Sequence, residues 1–435
     1  MMKKSINIGI IGLGTVGRGV IQLLQRNRSA IEPRIAAQLK LRAVCDRRKS
    51  RCPKELLDIF YPNWQKVVND PEIDIVIELI GGLEPARTII LTALKNKKPV
   101  VTANKAVLAN HWSEIFHTAR QFHSLVYFEA SVGGGIPVIQ AINEGLAGNC
   151  FSRIVGILNG TTNYILTQMA KKRLDFRTAL HWAQKKGFAE ANPKTDIAGI
   201  DTANKLAILS SLAWNIWIKP QKISVVGIEG ITLMDVIFAD EEFGYVPKLL
   251  GLSQVTSEGL LLVVRPFLVS KDHPFSKVDN EFNAIMIKGN AVDEVMLVGR
   301  GAGAMPAASA VVSDIIFLAR QINSGLAGNL PYVSPDHKKH LRTVPSQKLV
   351  APFYLRFMTV DRPGVLSTIS GYLARSNVSI AGVYQKAPLD IRRRAVPIVI
   401  LTHPAKEGNL RRALERIEKL PISRTRPVFL PIIKF

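Results

Sequence analysis

The first 130 residues alternate between short, mostly apolar runs and longer stretches with helical spacing. "INIGII" (6–11), "LKLRAVC" (39–45), "IDIVIEL" (73–79), "PVVT" (99–102) and "LVYFEA" (125–130) read as strands, most of them buried on both faces. In "TVGRGVIQLLQR" (15–26) and "NKAVLAN" (104–110) the spacing is instead that of helices. Strand and helix taking turns in this way predict a parallel sheet covered by helices. Farther on, "FSRIVGIL" (151–158) is another strand, followed by an Asn-Gly corner and a helix. Periodicity fades over 322–347, which hold several Pro, Ser, Gly and charged residues and read as a linker. The last eighty residues recover it as strand, helix, strand, strand, helix, strand, the order of a ferredoxin-like unit.

Composition narrows the class. A chain of 435 residues with 47% apolar and 21% charged residues is globular and long enough for two to four domains. The N-terminus "MMKKSINIGI" has no signal-peptide pattern, and no long uncharged apolar run predicts a membrane span. Three cysteines (Cys45, Cys52 and Cys150) argue against a disulfide framework and fit a reducing cytoplasm. The net charge of +23 raises nucleic-acid binding as a possibility. The basic residues, however, come in short separated groups such as Arg47-Arg48-Lys49 and Arg392-Arg393-Arg394, without interleaved aromatics. We therefore expect no nucleic-acid partner; such a surface also attracts anionic substrates and phosphorylated cofactors.

The first glycine turn carries specific chemistry. Gly12-Leu13-Gly14-Thr15-Val16-Gly17 is a GxGxxG between a buried strand and a helix, the context of a dinucleotide site. Gly12 allows the tight turn, Gly14 the approach of a pyrophosphate, and Gly17 close helix packing, with the helix N-terminus facing the anion. Asp46 ends the second strand, where an acid takes ribose hydroxyls and favours NAD. Arg47 and Arg48 follow at once and suit a 2′-phosphate, so the reading leans to NADP or to use of both. Ligands of doubly wound sheets sit at the carboxyl ends of strands, which places Thr102, Asn104 and Lys105 at the mouth of the site.

Downstream, Asn159-Gly160-Thr161-Thr162 forms a corner whose N–H groups suit a carboxylate. "GFAEANPKTDIAGIDTANKLAIL" (187–209) then gathers Glu190, Asp196, Asp201 and Lys205, the last two one helical turn apart. A lysine whose pKa falls toward neutrality, through burial or a second cation, can exchange a proton with an alcohol.

Together "GLGTVGRGV", "VTANKAVLA", "FEASVGGGIP", "GILNGTTNYIL", the 187–209 stretch and "GRGAGAMPAASAVVSDII" resemble homoserine dehydrogenases, in the family's order over roughly 6–320. The resemblance implies reversible NAD(P)-dependent oxidation of L-homoserine to L-aspartate 4-semialdehyde. It implies Lys205 and Lys105 beside the reacting carbon, Glu190 and Asp201 at the substrate amino group, Asp196 in support, and Gly160 and Thr161 at the substrate carboxylate. It further implies a monovalent-cation site, usually sodium, on the backbone carbonyls of Glu129, Val132, Gly134 and Ile136. Gly301 and Gly303 would lie near the cofactor. Asn192, Asn204 and Ala307 depart from the family's usual Asp, His and Thr.

The tail, with "DRPGVLSTIS", resembles an ACT domain, an amino-acid-binding module that pairs with another copy. In this family such a tail implies feedback inhibition by L-threonine, with Asp361, Gly364 and Gln385 at the effector, and a homodimer or homotetramer. The expected fold class is α/β, with a Rossmann-type domain (1–130) and an α+β catalytic domain (151–303). The expected remainder is a dimerisation region (131–150 and 304–325), a linker (326–349) and an ACT domain (350–435). Rival readings are another NAD(P)-linked amino-acid dehydrogenase or a basic nucleic-acid-binding protein.

Overall fold

The computed structural model describes residues 4–328, 341–385 and 395–435. The chain gathers into two compact units. One comprises 1–160, 203–222 and 281–341; the other comprises 161–202, 223–280 and 342–435. The stretch 151–303, expected as one catalytic domain, is divided between them.

In the first unit the apolar runs become strands β1 (Ser5–Ile11), β2 (Gln38–Cys45), β3 (Phe60–Tyr61), β4 (Ile75–Glu78), β5 (Val100–Thr102) and β6 (Val126–Tyr127). They form one parallel sheet in the order β3-β2-β1-β4-β5-β6, the order of doubly wound dinucleotide-binding sheets. Ile6, Ile8 and Ile10 are wholly buried on β1, each contributing about 1.5–3 kcal/mol by leaving water. Register decides where a site can form. Ile11 pairs with Cys45 and with Glu78, and Glu78 pairs with Thr102. The strands therefore end level, and the glycine turn, Asp46, Leu79–Gly82 and Ala103–Lys105 all leave the sheet at one edge.

The same unit holds the antiparallel strands Phe151–Ile157, Phe282–Gly289 and Asp293–Arg300, and the helix Ala304–Asn323. That helix is long and apolar enough to cross a membrane by length and composition, with half of that stretch buried within the fold. It runs against the helix Thr15–Arg26, where a side chain at Gly19 would meet the Ala304 carbonyl at 3.0 Å. Its end is held by Arg320 and Asn323, which donate to the carbonyls of Arg34 and Ile35.

In the second unit a long hairpin, Tyr245–Thr256 with Gly259–Ser270, is buried along most of its length. The C-terminal strands Phe353–Thr359, Ile380–Gln385, Val396–Thr402 and Val428–Pro431, with helices Val365–Arg375 and Glu407–Glu418, have the expected ferredoxin-like order. Strand Phe353–Thr359 lies between Val396–Thr402 and Val428–Pro431. The expected linker is not wholly irregular: Thr343–Val344 pairs with Leu260–Leu261 and Ser346–Lys348 is a 3-10 turn. Residues 329–340 of it, and Arg392–Arg394, lie outside the described residues.

Candidate active site

The level strand ends of the first unit build a cavity of about 440 Å³, lined among others by Gly12, Gly14, Asp46, Arg47, Arg51 and Trp64. Gly12 has φ +108°, and a side chain there would sit 2.6 Å from the Leu79 carbonyl carbon. At Gly17 a Cβ would fall 2.0 Å from the Gly12 oxygen, whereas at Gly14 it would meet nothing within 4 Å. Two glycines thus serve the turn and its packing, and the third leaves backbone open to a ligand. Gly14 also precedes the helix Thr15–Arg26, with Thr15 exposed and Val16 half-buried beside it.

Asp46 is nearly buried, at 8% exposure. Burial pushes its carboxyl up, but N–H bonds from Arg48 and Leu13, both 2.9 Å, and the Arg51 guanidinium at 3.5 Å bring it below the usual carboxylate value. Its charge is therefore held by the backbone on both sides, the Arg48 N–H after it and the Leu13 N–H of the glycine turn. Arg51, not singled out from sequence, lines the cavity with Arg47. Arg48 contributes its backbone N–H to Asp46 and is absent from the lining. Arg51 stands six residues past the strand end at Cys45, and only the short helical turn Lys49–Arg51 returns it to the cavity.

Thr102, expected at the mouth, is wholly buried. Its hydroxyl donates to Glu78 Oε2 at 2.6 Å and accepts from the Asn104 N–H at 3.0 Å. Asn104 in turn accepts from the Val107 N–H, capping the helix Lys105–Gln121, and donates to the Gly82 carbonyl at 2.8 Å. Lys105 opens that helix, half-buried. Glu78 is the hub: burial pushes its carboxyl up, against bonds from Thr102 and the Ile80 N–H. A lone acid in an apolar strand was the available signal for it.

Lys205, on the helix Ile200–Ala213, is 8% exposed, and its Nζ donates to the Leu158 carbonyl at 2.6 Å. Leu158 immediately precedes the Asn159-Gly160 corner, so the amine is tied to the approach of that corner. Gly160 begins the helix Gly160–Lys172; a Cβ there would lie 2.7 Å from the Glu281 carbonyl. In the second unit the Thr161 hydroxyl donates to the Phe188 carbonyl at 2.6 Å. Glu190 is exposed, Asp196 half-buried on the short helix Lys194–Ile197, and Asp201 buried one turn before Lys205. Asn192 accepts from the Lys194 N–H at 3.4 Å, a local turn bond. Asn204 is half-buried, and Ala307 is buried in the first turn of Ala304–Asn323.

The segment Glu129–Ile136 is folded by left-handed Gly133 and Gly134. Among the described residues, the carbonyls of Val132 and Gly134 accept no backbone hydrogen bond although both residues are buried. Those of Glu129 and Ile136 accept from Val132 at 3.5 Å and Val138 at 2.8 Å. Buried carbonyls without donors fit a cation ligated by oxygen. No side-chain metal cluster occurs among the described residues. Gly134 presses on Gly301, Gly301 on Asn283, and Gly303, at φ +125°, precedes the helix Ala304–Asn323.

Residues 12–129 match the model of the homoserine dehydrogenase NAD-binding domain, 137–316 that of homoserine dehydrogenase, and 353–421 that of the ACT domain. The chain belongs to the homoserine dehydrogenase family. It is 40% identical to a homoserine dehydrogenase of Synechocystis sp. over 99% of its own length and 100% of the relative's. A solved homoserine dehydrogenase from Thiobacillus denitrificans superposes with a TM-score of 0.93 at 38% identity, covering 100% of this chain and 99% of the other. A hyperthermophilic archaeal homoserine dehydrogenase mutant in complex with NADPH matches with a TM-score of 0.61 at 27% identity, over 72% of this chain and 97% of its own. The chain is thus an oxidoreductase with the family's NAD-binding domain and an ACT domain after its catalytic region.

The effector candidates lie in the ACT domain. Asp361 and Gly364 are exposed in the turn before Val365–Arg375, with Gly364 left-handed at φ +87°. Gln385 ends the edge strand opposite Ile398, which on its other side pairs with Phe357.

Proposed function

We propose that this homoserine dehydrogenase interconverts L-homoserine and L-aspartate 4-semialdehyde with NADP as its preferred cofactor. The observation that carries the catalytic part is the bond from Lys205 Nζ to the Leu158 carbonyl. It holds an amine in a buried place one residue before the Asn159-Gly160 corner. The nicotinamide, when bound, supplies or accepts the hydride. Lys205 takes the hydroxyl proton as the alcohol is oxidised and returns it in reduction. Lys105, fixed by the Glu78–Thr102–Asn104 network, is the second cation beside the reacting carbon. The N–H groups of Gly160 and Thr161 receive the substrate carboxylate, and Glu190 and Asp201 its ammonium, with Asp196 supporting them.

The preference for NADP rests on Arg47 and Arg51 in the cavity, with Asp46 already engaged by three partners. The ACT domain supports feedback by L-threonine at Asp361, Gly364 and Gln385, and the enzyme is read as a homodimer or homotetramer. The donor-free carbonyls of Val132 and Gly134, with those of Glu129 and Ile136, support a sodium site. A cytoplasmic location follows from the cysteine usage and the biosynthetic chemistry. The test is NADPH oxidation with aspartate semialdehyde, repeated with NADH; turnover with neither would overturn the reading.

A further inference from the structure

Lys248 lies on the strand Tyr245–Thr256 with 2% exposure. Its Nζ donates to the Val278 carbonyl at 2.6 Å and to Asn163 Oδ1 at 3.1 Å. Asn163 Nδ2 donates to that same carbonyl at 3.0 Å. The facing charged groups are Asp279, whose carboxylate is 3.7 Å away, and Lys171, which holds Asp279 at 2.5 Å. The hydrogen-bond partners of the buried ammonium are thus neutral, and its one nearby carboxylate is shared with a second lysine. Burial pushes Lys248 down to about 8, with Asp279 pulling it back up and Lys171 lowering it. Filling this space needs only an apolar side chain of similar length, so packing does not account for the charge.

Asn163 follows Thr162 on the helix Gly160–Lys172, three residues and roughly 4.5 Å of rise from its start. A helix N-terminus already carries a partial positive charge, and a full charge beside its first turn, shielded from water, adds to it. We propose that Lys248 is a positioning residue of the substrate-carboxylate seat, fixing the first turn through Asn163 and supplying the positive charge behind the N–H groups at the start of that helix, Thr161 among them. The inference rests on the reading of that corner as the carboxylate seat.

Two substrates separate a charge effect from a structural one: L-homoserine and L-homoserine amide, which lacks the carboxylate charge. Both are assayed by NADP reduction in the full-length protein. The native protein is expected to favour homoserine. K248M is expected to lose about tenfold in kcat/KM for homoserine, through KM, and much less for the amide. N163D places a carboxylate against the ammonium, keeping the bond from Lys248 while giving up the one to the Val278 carbonyl, and is expected to narrow the preference in the same way. If K248M fails to fold, N163D decides. Equal losses on both substrates, or an unchanged preference, overturn the role of Lys248. No preference in the native protein overturns the seat itself and the inference with it.

Discussion

Arg356 and Asp235 form a two-pronged buried pair, Nε to Oδ1 at 2.6 Å and Nη2 to Oδ2 at 3.1 Å. Arg356 belongs to the first strand of the ACT domain, and Asp235 to the helix Leu233–Glu241 of the catalytic region. Asp235 also accepts from Tyr354 at 3.1 Å and closes the capping box of its own helix with Thr232. A second buried pair, Arg265 with Glu407, and the bond from the Ile433 N–H to the Leu268 carbonyl at 3.0 Å repeat the connection. The tail is thus built into the fold of the second unit.

Removing 350–435 would take Tyr354 and Arg356 away from Asp235 and uncover the long hairpin. We expect the truncated protein to be insoluble or inactive, and R356M to lose about 3–5 kcal/mol of stability. Thermal melts of R356M against the native protein check this; an unchanged melt would show the pair to be dispensable. Threonine sensitivity is accordingly better tested by D361A in the full chain. There the expected result is native turnover without threonine and inhibition shifted to at least about tenfold higher threonine, one factor of ten being roughly 1.4 kcal/mol of lost binding.

Lys205→Met keeps most of the buried volume and removes the proton-transferring amine. The expected loss in kcat is at least about 10²-fold, the usual worth of a general acid–base group, with NADPH binding within twofold by fluorescence titration. Near-native kcat would exclude Lys205 from proton transfer.

Arg47 and Arg51 are expected to act together on cofactor choice. The R47A/R51A variant should bind NADPH about ten- to a hundredfold more weakly, because charge-assisted bonds to a phosphate are lost, while NADH is little affected. Steady-state KM values for both cofactors read this directly. An equal loss for both would place the arginines on the shared pyrophosphate instead of the 2′-phosphate.

These variants also mark where the sequence was legible. The strands, the GxGxxG and the ferredoxin-like tail follow from periodicity and turn residues, because backbone needs act locally. Partners distant in sequence are a different matter. That Thr102 spends its hydroxyl on Glu78, that Arg51 and not Arg48 lines the cavity, and that Asp235 is matched by Arg356 all depend on tertiary register. A one-residue change in a strand would exchange these faces. The same holds inside the expected linker: Thr343–Val344 has no pattern of its own and becomes a strand only beside Leu260–Leu261.

Lys248 gives a pH signature whose sign is fixed by its burial. Its folded value of about 8 lies below the ordinary 10.5, so the cost of burying the ammonium is fully present below about pH 8. Between about 8 and 10.5 the unfolded chain binds a proton that the folded chain does not, and stability rises with pH at up to about 1.4 kcal/mol per unit. K248M lacks this term, while every other alkaline-titrating group is common to both proteins and cancels in their difference. The melting temperature of the native protein minus that of K248M should therefore increase between pH 8 and 10, on the order of 5 °C. Over the same range KM for homoserine should rise in the native protein as the charge behind the carboxylate seat is lost. A constant or shrinking difference in melting temperature would mean that Lys248 keeps its proton, held by Asp279 more firmly than its burial opposes.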